Sequence, residues 1–356
     1  MSKGTPDEVK NLLVVRLSAM GDVIHALPAI AALRLASPNI TIGWLIEERW
    51  VELLCTRHNA RSGPRSTQRP LVDRVHTVDT KLWRRSMLSL HTWRQIAASR
   101  SELREANYDA VIDLQGAIRS ALLSKWVGAP LVFGSARPRE SAAGMFYSNK
   151  IAVNDGDHVV DQAFGLVRAI APIPSGSASV QLPIDPEAEA KIDSMLSGLG
   201  QFAILNPGAG WGAKRWPAQR YGEVARELAK DKLISFINYG PGEEDLAAAV
   251  EAASEGSARK TSCSISELIA LTRRARLFIG GDTGPMHLAA ALKIPVVAIF
   301  GPTNPARNGP FDTPSVVLRS PSSVTDHSRH REPEQGLMEI TVVQVVEAAR
   351  KLTKPN

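Results

Sequence analysis

The sequence of 356 residues is 44% hydrophobic and 22% charged, which is typical of a globular protein with enough apolar material for two domain cores. It contains no apolar run long enough to span a bilayer, and its two cysteines favour a reducing compartment over a disulfide framework or a zinc site. The formal net charge of +6 favours acidic partners, namely a phosphorylated small molecule, a nucleic acid or an anionic membrane face.

Short apolar runs alternate with helical patterns through the first half of the chain. The patterns predict strands at 12–17, 40–46, 74–78, 108–114 and 130–134, and helices at 23–36, 88–106 and 116–127. The polar, basic segment 56–73 has no periodicity and is predicted as a surface loop. Such alternation is typical of a parallel sheet with helices on both faces.

The alternation restarts after a proline-rich stretch at 171–189, which is the predicted linker. Strands are predicted at 202–206, 233–239, 276–280 and 296–300, helices at 217–230, 243–253, 266–274 and 286–293, a loop at 302–337 and a closing helix at 341–352. We therefore expect two doubly wound α/β domains that bind ligands at the carboxyl ends of their strands.

The stretch SAMGDVIHALPAI, residues 18–30, places Asp22 at the turn from the first strand to the first helix. A carboxylate there is either an ordinary helix cap or a general base that takes a proton from an acceptor hydroxyl. His25, three residues later in the predicted helix, either lines the same ligand-binding cleft as Asp22 or packs in the core. No Ser-His-Asp pattern and no paired carboxylate accompanies Asp22, which argues against a hydrolase.

A second strand-to-helix turn lies at 277–292, LFIGGDTGPMHLAAAL. Asp282 and Thr283 are candidate caps, and Pro285 suits a first helical turn because it lacks an N–H. Free N–H groups at a helix start bind phosphate oxygens, so the turn is either a phosphate site or a plain capped turn. His287 either points toward a ligand or packs.

Two further strand-to-helix junctions carry residues that could bind a nucleotide or a diphosphate. The stretch AILNPGAGWGAKRWP, 203–217, joins glycines to Lys214, which suits a diphosphate, although it is neither a Walker A loop nor a dinucleotide fingerprint. In NYGPGEEDLAAAV, 238–250, Glu243 and Glu244 either open a helix favourably or accept hydrogen bonds from ribose hydroxyls.

Basic residues cluster in the first half at Lys81, Arg84 and Arg85, and again at Arg137 and Arg139. They indicate either an anionic acceptor on this side or an ordinary solvated surface. They are not interleaved with aromatic residues as in nucleic-acid-binding modules, so we expect no nucleic-acid partner.

The stretches RLSAMGDVIHALPAIAALR and FIGGDTGPMHLAAALKIPVVAIFGPTNP resemble glycosyltransferase family 9, the ADP-heptose:lipopolysaccharide heptosyltransferases. YDAVIDLQGAIRSAL, RPRESAAGMFYSNK and HVVDQAF are more similar to its heptosyltransferase I subgroup than to heptosyltransferase II. The resemblance covers nearly the whole chain. It implies an α/β fold of the GT-B class, with two facing Rossmann-like doubly wound domains and a C-terminal helix that crosses back to the first.

The resemblance also implies domain roles and a reaction. Residues 1–174 would bind the acceptor, 175–338 the ADP-sugar donor, and 339–356 would pack back on the N-terminal domain. The implied reaction transfers L-glycero-D-manno-heptose from ADP-heptose to a Kdo sugar of Kdo2-lipid A, with inversion, in lipopolysaccharide inner-core biosynthesis. The enzyme would be cytoplasmic and peripheral on the cytoplasmic face of the inner membrane.

Matching positions carry the implied roles. Asp22 takes the general-base position, and Lys214 takes that of the lysine on the donor phosphate. Donor binding further involves Glu243 on the ribose and Asp282, Thr283, Gly284 and His287 around the diphosphate and sugar; acceptor binding involves Lys81, Arg84, Arg85, Arg139 and His158. We expect no cofactor or metal, because Lys214 and backbone N–H groups would stabilise the leaving group.

One departure and two alternatives follow. Ala209 and Gly210 stand where the subgroup often has hydroxyl residues, so backbone groups or other side chains must hold the donor there. The first alternative is a family member that acts on a later core acceptor. The second is a nucleotide-sugar binding protein without catalysis, although a degenerate protein need not keep Asp22, Lys214 and the DTGPMH run together.

Overall fold

The computed structural model of the chain describes residues 9–174, 179–326, 328 and 330–354. It divides into two compact units, Met1–Ile184 and Asp185–Asn356. The division therefore comes later than the sequence-based boundary at 174. Leu182 is buried, and the Ile184 N–H donates to the Thr67 carbonyl at 2.9 Å, so these residues belong to the first unit.

The first unit is built on a six-stranded, wholly parallel sheet in the order β3-β2-β1-β4-β5-β6. Its elements are β1 (Asn11–Val15), α1 (Met20–Ala36), β2 (Thr41–Glu47), β3 (Arg74–Val78), α2 (Thr80–Arg85), α3 (Leu90–Glu105), β4 (Ala110–Asp113), α4 (Ile118–Trp126), β5 (Leu131–Ser135), β6 (Asn149–Ile151) and α5 (Val159–Val167). Two 3-10 helices span Glu48–Leu53 and Ser141–Phe146.

The second unit repeats the architecture with the sheet order β12-β11-β10-β7-β8-β9, again wholly parallel. Its elements are α6 (Pro186–Leu196), β7 (Phe202–Asn206), α7 (Ala218–Lys230), β8 (Ile234–Asn238), α8 (Glu244–Ala253), β9 (Ala258–Thr261), α9 (Ile265–Arg274), β10 (Leu277–Gly281), α10 (Gly284–Ala291), β11 (Val296–Phe300), α11 (Pro305–Asn308), β12 (Ser315–Arg319), α12 (Gln335–Glu339) and α13 (Val342–Thr353), with a 3-10 helix at Gly212–Lys214.

These two sheets confirm the predicted pair of doubly wound α/β domains. Every predicted strand is present, with ends shifted by a residue or two at most places. The structure adds β6, β9 and β12, which all lie at sheet edges. NKI and ARKT are short and largely polar. SVVLR has three apolar residues but is only partly buried. None of the three has the long apolar run that marks a buried strand.

Two predictions need correction. The predicted loop 302–337 contains α11, β12 and α12, and the predicted linker 171–189 ends inside α6, whose start is capped by Asp185. The apolar face of α13, including Val345 and Ala349, lies in the core formed with α7 and the second sheet. That the segment 339–356 packs back on the N-terminal domain stays a prediction.

The strand order places a switch point in each sheet, between β1 and β4 and between β7 and β10. At such a point the connections leave toward opposite sides, which opens a crevice at the carboxyl ends of the two strands. The turn with Asp22 follows β1, and the turn with Asp282 follows β10. Among the described residues no helix combines the length and apolarity needed to cross a bilayer.

Candidate active site

Asp22 lies in the first turn of α1, directly after the strand end that borders the first switch point. Its Oδ2 accepts the backbone N–H of Ala19 at 3.0 Å, so the carboxylate does cap the helix. The side chain is nevertheless 40% exposed, and its Oδ1 lies 2.9 Å from Arg16 Nη2. A capping carboxylate that keeps this exposure remains accessible to a hydroxyl group.

Arg16 connects Asp22 to the neighbouring strand. One guanidinium nitrogen pairs with Asp22 and the other donates to the Leu114 carbonyl at the end of β4. The adjacent Leu17 N–H donates to Gln115 Oε1 at 2.8 Å, which fixes the same two segments to each other. The position of the carboxylate is therefore set from both sides of the switch point.

The basic acceptor candidates all lie on segments that follow strand ends of the first sheet. Lys81, Arg84 and Arg85 are exposed on α2, after β3, and Arg139 is exposed in the loop after β5. Because the strands are parallel, these segments emerge at the same edge as Asp22.

His158, the remaining acceptor candidate, is half-buried at the start of α5. Its Nδ1 accepts the Val160 N–H at 3.2 Å, and its ring packs edge-on against His25 with centroids 5.7 Å apart. His25 is buried. The sequence left open whether His25 lines a cleft or packs, and in the structure it packs against His158.

The donor candidates meet in a buried cluster after β10. Asp282 Oδ2 lies 2.6 Å from Lys214 Nζ, and Asp282 Oδ1 lies 3.2 Å from His287 Nε2. Burial alone would raise the pKa of Asp282, but the hydrogen bonds and charges of His287 and Lys214 outweigh it and hold that pKa well below its usual range. Asp282 is thus a fixed anion that orients the Lys214 ammonium and the His287 imidazole.

The start of α10 is arranged for an anion. Thr283 occupies the N-cap position, but its side chain makes no capping hydrogen bond and donates to the Gly281 carbonyl at 3.3 Å instead. The sequence had made Thr283 a candidate cap, and that role is not the one found. Pro285 has no N–H, and the Met286 N–H donates to the Thr283 carbonyl at 3.1 Å, so this helix start offers the Gly284 N–H and its dipole to a phosphate oxygen.

Glu243 lies beside the glycine loop that follows β7. Its Oε2 accepts the Gly240 N–H at 3.0 Å, and its carboxylate is so close to Gly208 that an added Cβ there would lie 2.2 Å from Oε2. Glu244, the other carboxylate considered, accepts the Gly242 N–H and belongs to the exposed helix start. Glu243 therefore lines the glycine loop, where a ribose carboxylate is expected.

The glycine loop is held by the Arg215 side chain and by close backbone packing. Ala209 is buried, and its carbonyl accepts from Arg215 Nε at 3.3 Å and Nη2 at 3.1 Å. Gly212 is required sterically, because a Cβ there would lie 1.6 Å from the Arg331 carbonyl oxygen. The loop thus keeps its shape without the hydroxyl side chains that are absent at Ala209 and Gly210.

Comparison with known proteins decides the family. The sequence model of glycosyltransferase family 9 (heptosyltransferase) matches residues 96–337. The chain belongs to this family. It is therefore a glycosyltransferase, and the predicted resemblance is confirmed.

Individual family 9 relatives match over most of their length. Lipopolysaccharide heptosyltransferase 1 of Pseudomonas aeruginosa PAO1 is 31% identical over 87% of this chain and 83% of its own. Lipopolysaccharide heptosyltransferase 1 of Escherichia coli K12 is 28% identical over 87% of this chain and 93% of its own. The structure of E. coli heptosyltransferase WaaC with ADP superposes with a TM-score of 0.77 at 25% identity, covering 96% and 99% of the two chains. The predicted GT-B fold class is confirmed.

Three residues of this family 9 chain emerge from the geometry and not from the sequence. Arg16 pairs with Asp22; Trp211 lies under Lys214, with Nζ 4.5 Å from the ring centroid; and Asn206 donates to the Gly208 carbonyl and, at 3.4 Å, to Thr283 Oγ1. Asn206 is the last residue of β7. Its place at a strand end beside the switch point is the sequence signal that could have marked it as a site residue. Among the described residues, no group of three or more His, Cys, Asp and Glu side chains is placed to hold a metal ion.

Proposed function

We propose that this family 9 enzyme transfers L-glycero-D-manno-heptose from ADP-heptose to a Kdo sugar of Kdo2-lipid A, with inversion, in lipopolysaccharide inner-core synthesis. The observation that carries the donor assignment is the cluster of Lys214, Asp282 and His287 at the uncapped start of α10. A mostly buried cation beside the N-terminus of a helix suits a diphosphate. The relative solved with ADP and the two relatives with heptosyltransferase 1 in their names support the same choice.

The donor would be held by residues that the second sheet brings to one edge. Lys214 has three N–H donors, and its contacts to the Asp282 carboxylate and carbonyl orient the ammonium while a phosphate oxygen accepts from it. Thr283 and Gly284 supply the helix start, Glu243 accepts from the ribose hydroxyls, and His287 faces the diphosphate and sugar from the first turn of α10. Positive charge at this point stabilises the ADP that leaves.

The chemical step is one displacement. Asp22 takes the proton of the Kdo hydroxyl, and the hydroxyl oxygen forms a bond to the anomeric carbon of the heptose. The bond from that carbon to the β-phosphate oxygen breaks, and ADP leaves with the electron pair. One base and no covalent intermediate give inversion, which agrees with a single accessible carboxylate at the turn after β1.

The acceptor would be held by the basic residues on the first sheet's carboxyl edge, namely Lys81, Arg84, Arg85, Arg139 and His158. Kdo carries a carboxylate and lipid A carries phosphates, so the acceptor presents several anionic groups to them. A lipid acceptor places the enzyme peripherally on the cytoplasmic face of the inner membrane.

A transfer assay tests the proposal. Purified full-length protein is incubated with ADP-heptose and either Kdo2-lipid A or a Kdo2-lipid A that already carries heptose, and the linkage of the product is determined. We expect heptose on Kdo, with an inverted anomeric centre, only with the first acceptor. Transfer only to the heptosylated acceptor would assign a later core step, and donor binding without transfer to either would overturn the enzymatic assignment of this site.

A further inference from the structure

The segment that joins α2 to α3 exposes an apolar surface. Met87 and Leu88 in the turn are 59% and 102% exposed, and Leu90 and Trp93 at the start of α3 are 76% and 55% exposed. Leu82 on α2 adds a further 42% exposed leucine. We call these five residues the apolar tip. Scattered single leucines are ordinary on protein surfaces, but five within twelve residues form a patch that calls for a partner.

The conformation of the apolar tip is fixed by buried residues on the opposite side of the same segment. Trp83 is buried against the core, with its ring 6.4 Å from that of Trp126, and Thr92 is 2% exposed. The indole N–H of Trp93 donates to the Met87 carbonyl at 2.9 Å, which ties the turn to the helix. The segment therefore buries one set of apolar side chains and presents a second set outward.

The charged residues of the segment that carries the tip have one sign. Residues 80–100 contain five cations, Lys81, Arg84, Arg85, Arg94 and Arg100, and no aspartate or glutamate. All five are exposed. An exposed tryptophan with leucines, flanked only by cations, is complementary to a lipid surface that carries negative charge, where the side chains enter the interface and the cations face the headgroups.

We propose that the apolar tip docks this enzyme on a bilayer of anionic phospholipids. The inference deepens the proposed function, whose acceptor is a lipid, but it rests on the exposed side chains and their charges. Vesicle binding is measured without donor or acceptor, so its failure is distinguishable from a failure of heptose transfer. The basic residues Lys81, Arg84 and Arg85 would then lie at headgroup depth, where an acceptor displays its phosphates.

The test is co-sedimentation of the full chain with vesicles of phosphatidylglycerol and phosphatidylcholine, compared with vesicles of phosphatidylcholine alone. We expect binding to the anionic vesicles only, weakened as salt is raised. The double variant Leu88→Ser/Leu90→Ser should bind roughly tenfold or more weakly, since two leucines no longer enter the interface. Leu35→Ser is the matched control, because Leu35 is 73% exposed on α1 of the same unit, and its binding should stay unchanged.

Charge and depth are tested separately. The double variant Arg94→Gln/Arg100→Gln should bind anionic vesicles more weakly than the wild type, and its binding should depend less on salt concentration. Quenching of tryptophan fluorescence by brominated lipids should be lost in Trp93→Phe, and this measurement decides the matter even if the leucine double variant does not fold. Transfer to a water-soluble acceptor without acyl chains should be unaffected in the leucine double variant.

Other outcomes would overturn the proposal. These are no binding of the wild type to anionic vesicles, equal binding to both vesicle types, equal binding of the leucine double variant, or the same loss in Leu35→Ser. Self-association that the leucine double variant abolishes, without vesicle binding by the wild type, would assign the tip to a second copy of the chain instead.

Discussion

Each unit of this enzyme places an aspartate at a strand-to-helix turn beside its sheet's switch point, and the two aspartates are in opposite environments. Asp22 is 40% exposed and pairs with one cation, Arg16. Asp282 is 8% exposed and lies between Lys214 and His287. An exposed carboxylate can accept a proton from a substrate, whereas a buried one held as an anion orients its partners. In the proposed mechanism the same turn architecture thus serves a base in one unit and an anchor in the other.

The largest effect is expected from removing the proton acceptor while keeping the cap. In Asp22→Asn the amide oxygen still accepts the Ala19 N–H, so α1 keeps its start. We expect kcat to fall roughly 10²–10⁴-fold with unchanged affinity for ADP, measured by transfer kinetics and calorimetry. Asp185→Asn, a change in a capping aspartate of α6, is the control and should transfer normally. Near-normal transfer by Asp22→Asn would leave capping as the sole role of Asp22.

The anchor is tested next through its cation. In Lys214→Ala the donor site loses a charge-assisted hydrogen bond, and we expect the Kd for ADP to rise by roughly 10–100-fold. Lys293→Ala is the control, because Lys293 pairs with Asp312 where both side chains are nearly half exposed, and such pairs contribute little. Equal ADP affinity in Lys214→Ala and wild type would remove the donor assignment and, with it, the contrast between the two aspartates.

The difference between the aspartates was only partly accessible from the sequence. The residues alone predicted either a phosphate site or a plain capped turn at the DTGPMH run, and a lysine suited to a diphosphate at Lys214; the donor role followed from the family resemblance. Arg16 could not be predicted, because its pairing with Asp22 depends on the path of the chain between β1 and α1. Likewise, no local pattern shows that Thr283 leaves the helix start uncapped, since its hydroxyl turns to the Gly281 carbonyl instead.

In the fold, too, features with a local sequence pattern could be predicted, and features that depend on tertiary contacts could not. Central strands such as β1 and β11 are continuous apolar runs and were predicted, whereas the edge strand β12 was assigned to a loop. The segment 56–73 has the composition of a plain surface loop, yet Arg69 within it is 1% exposed and donates to the carbonyls of Gly63, Pro64 and Val72. A charged side chain that organises a loop from inside has no signature in composition.

A smaller effect is expected from Arg16, which would act on the proposed reaction through its ion pair with Asp22. Arg16→Gln removes the ion pair to Asp22, and we expect kcat to fall about tenfold because the carboxylate is no longer fixed. Affinity for ADP should not change, and Arg16→Lys should restore part of the rate. Arg61→Gln is the control, since Arg61 forms an ion pair with Glu48 on the exposed surface of the same unit. An equal loss in ADP affinity would show that Arg16 acts on the fold as a whole.

The last effect concerns stability and its pH dependence, not catalysis. Asp282→Asn leaves buried His287 and mostly buried Lys214 without their anion, and we expect a loss of about 3 kcal/mol in the free energy of unfolding at pH 7. The pKa of Asp282 is lowered in the folded protein, so its contribution is present above the pKa of the unfolded chain, about 3.9, and is lost as the pH falls below that value. The gap between wild type and Asp282→Asn in urea unfolding should therefore narrow from pH 5 to pH 3. Asp312→Asn, from the exposed pair with Lys293, should show little gap at any pH. If the Asp282→Asn gap stayed constant down to pH 3, the carboxylate would not be the fixed anion that distinguishes it from Asp22.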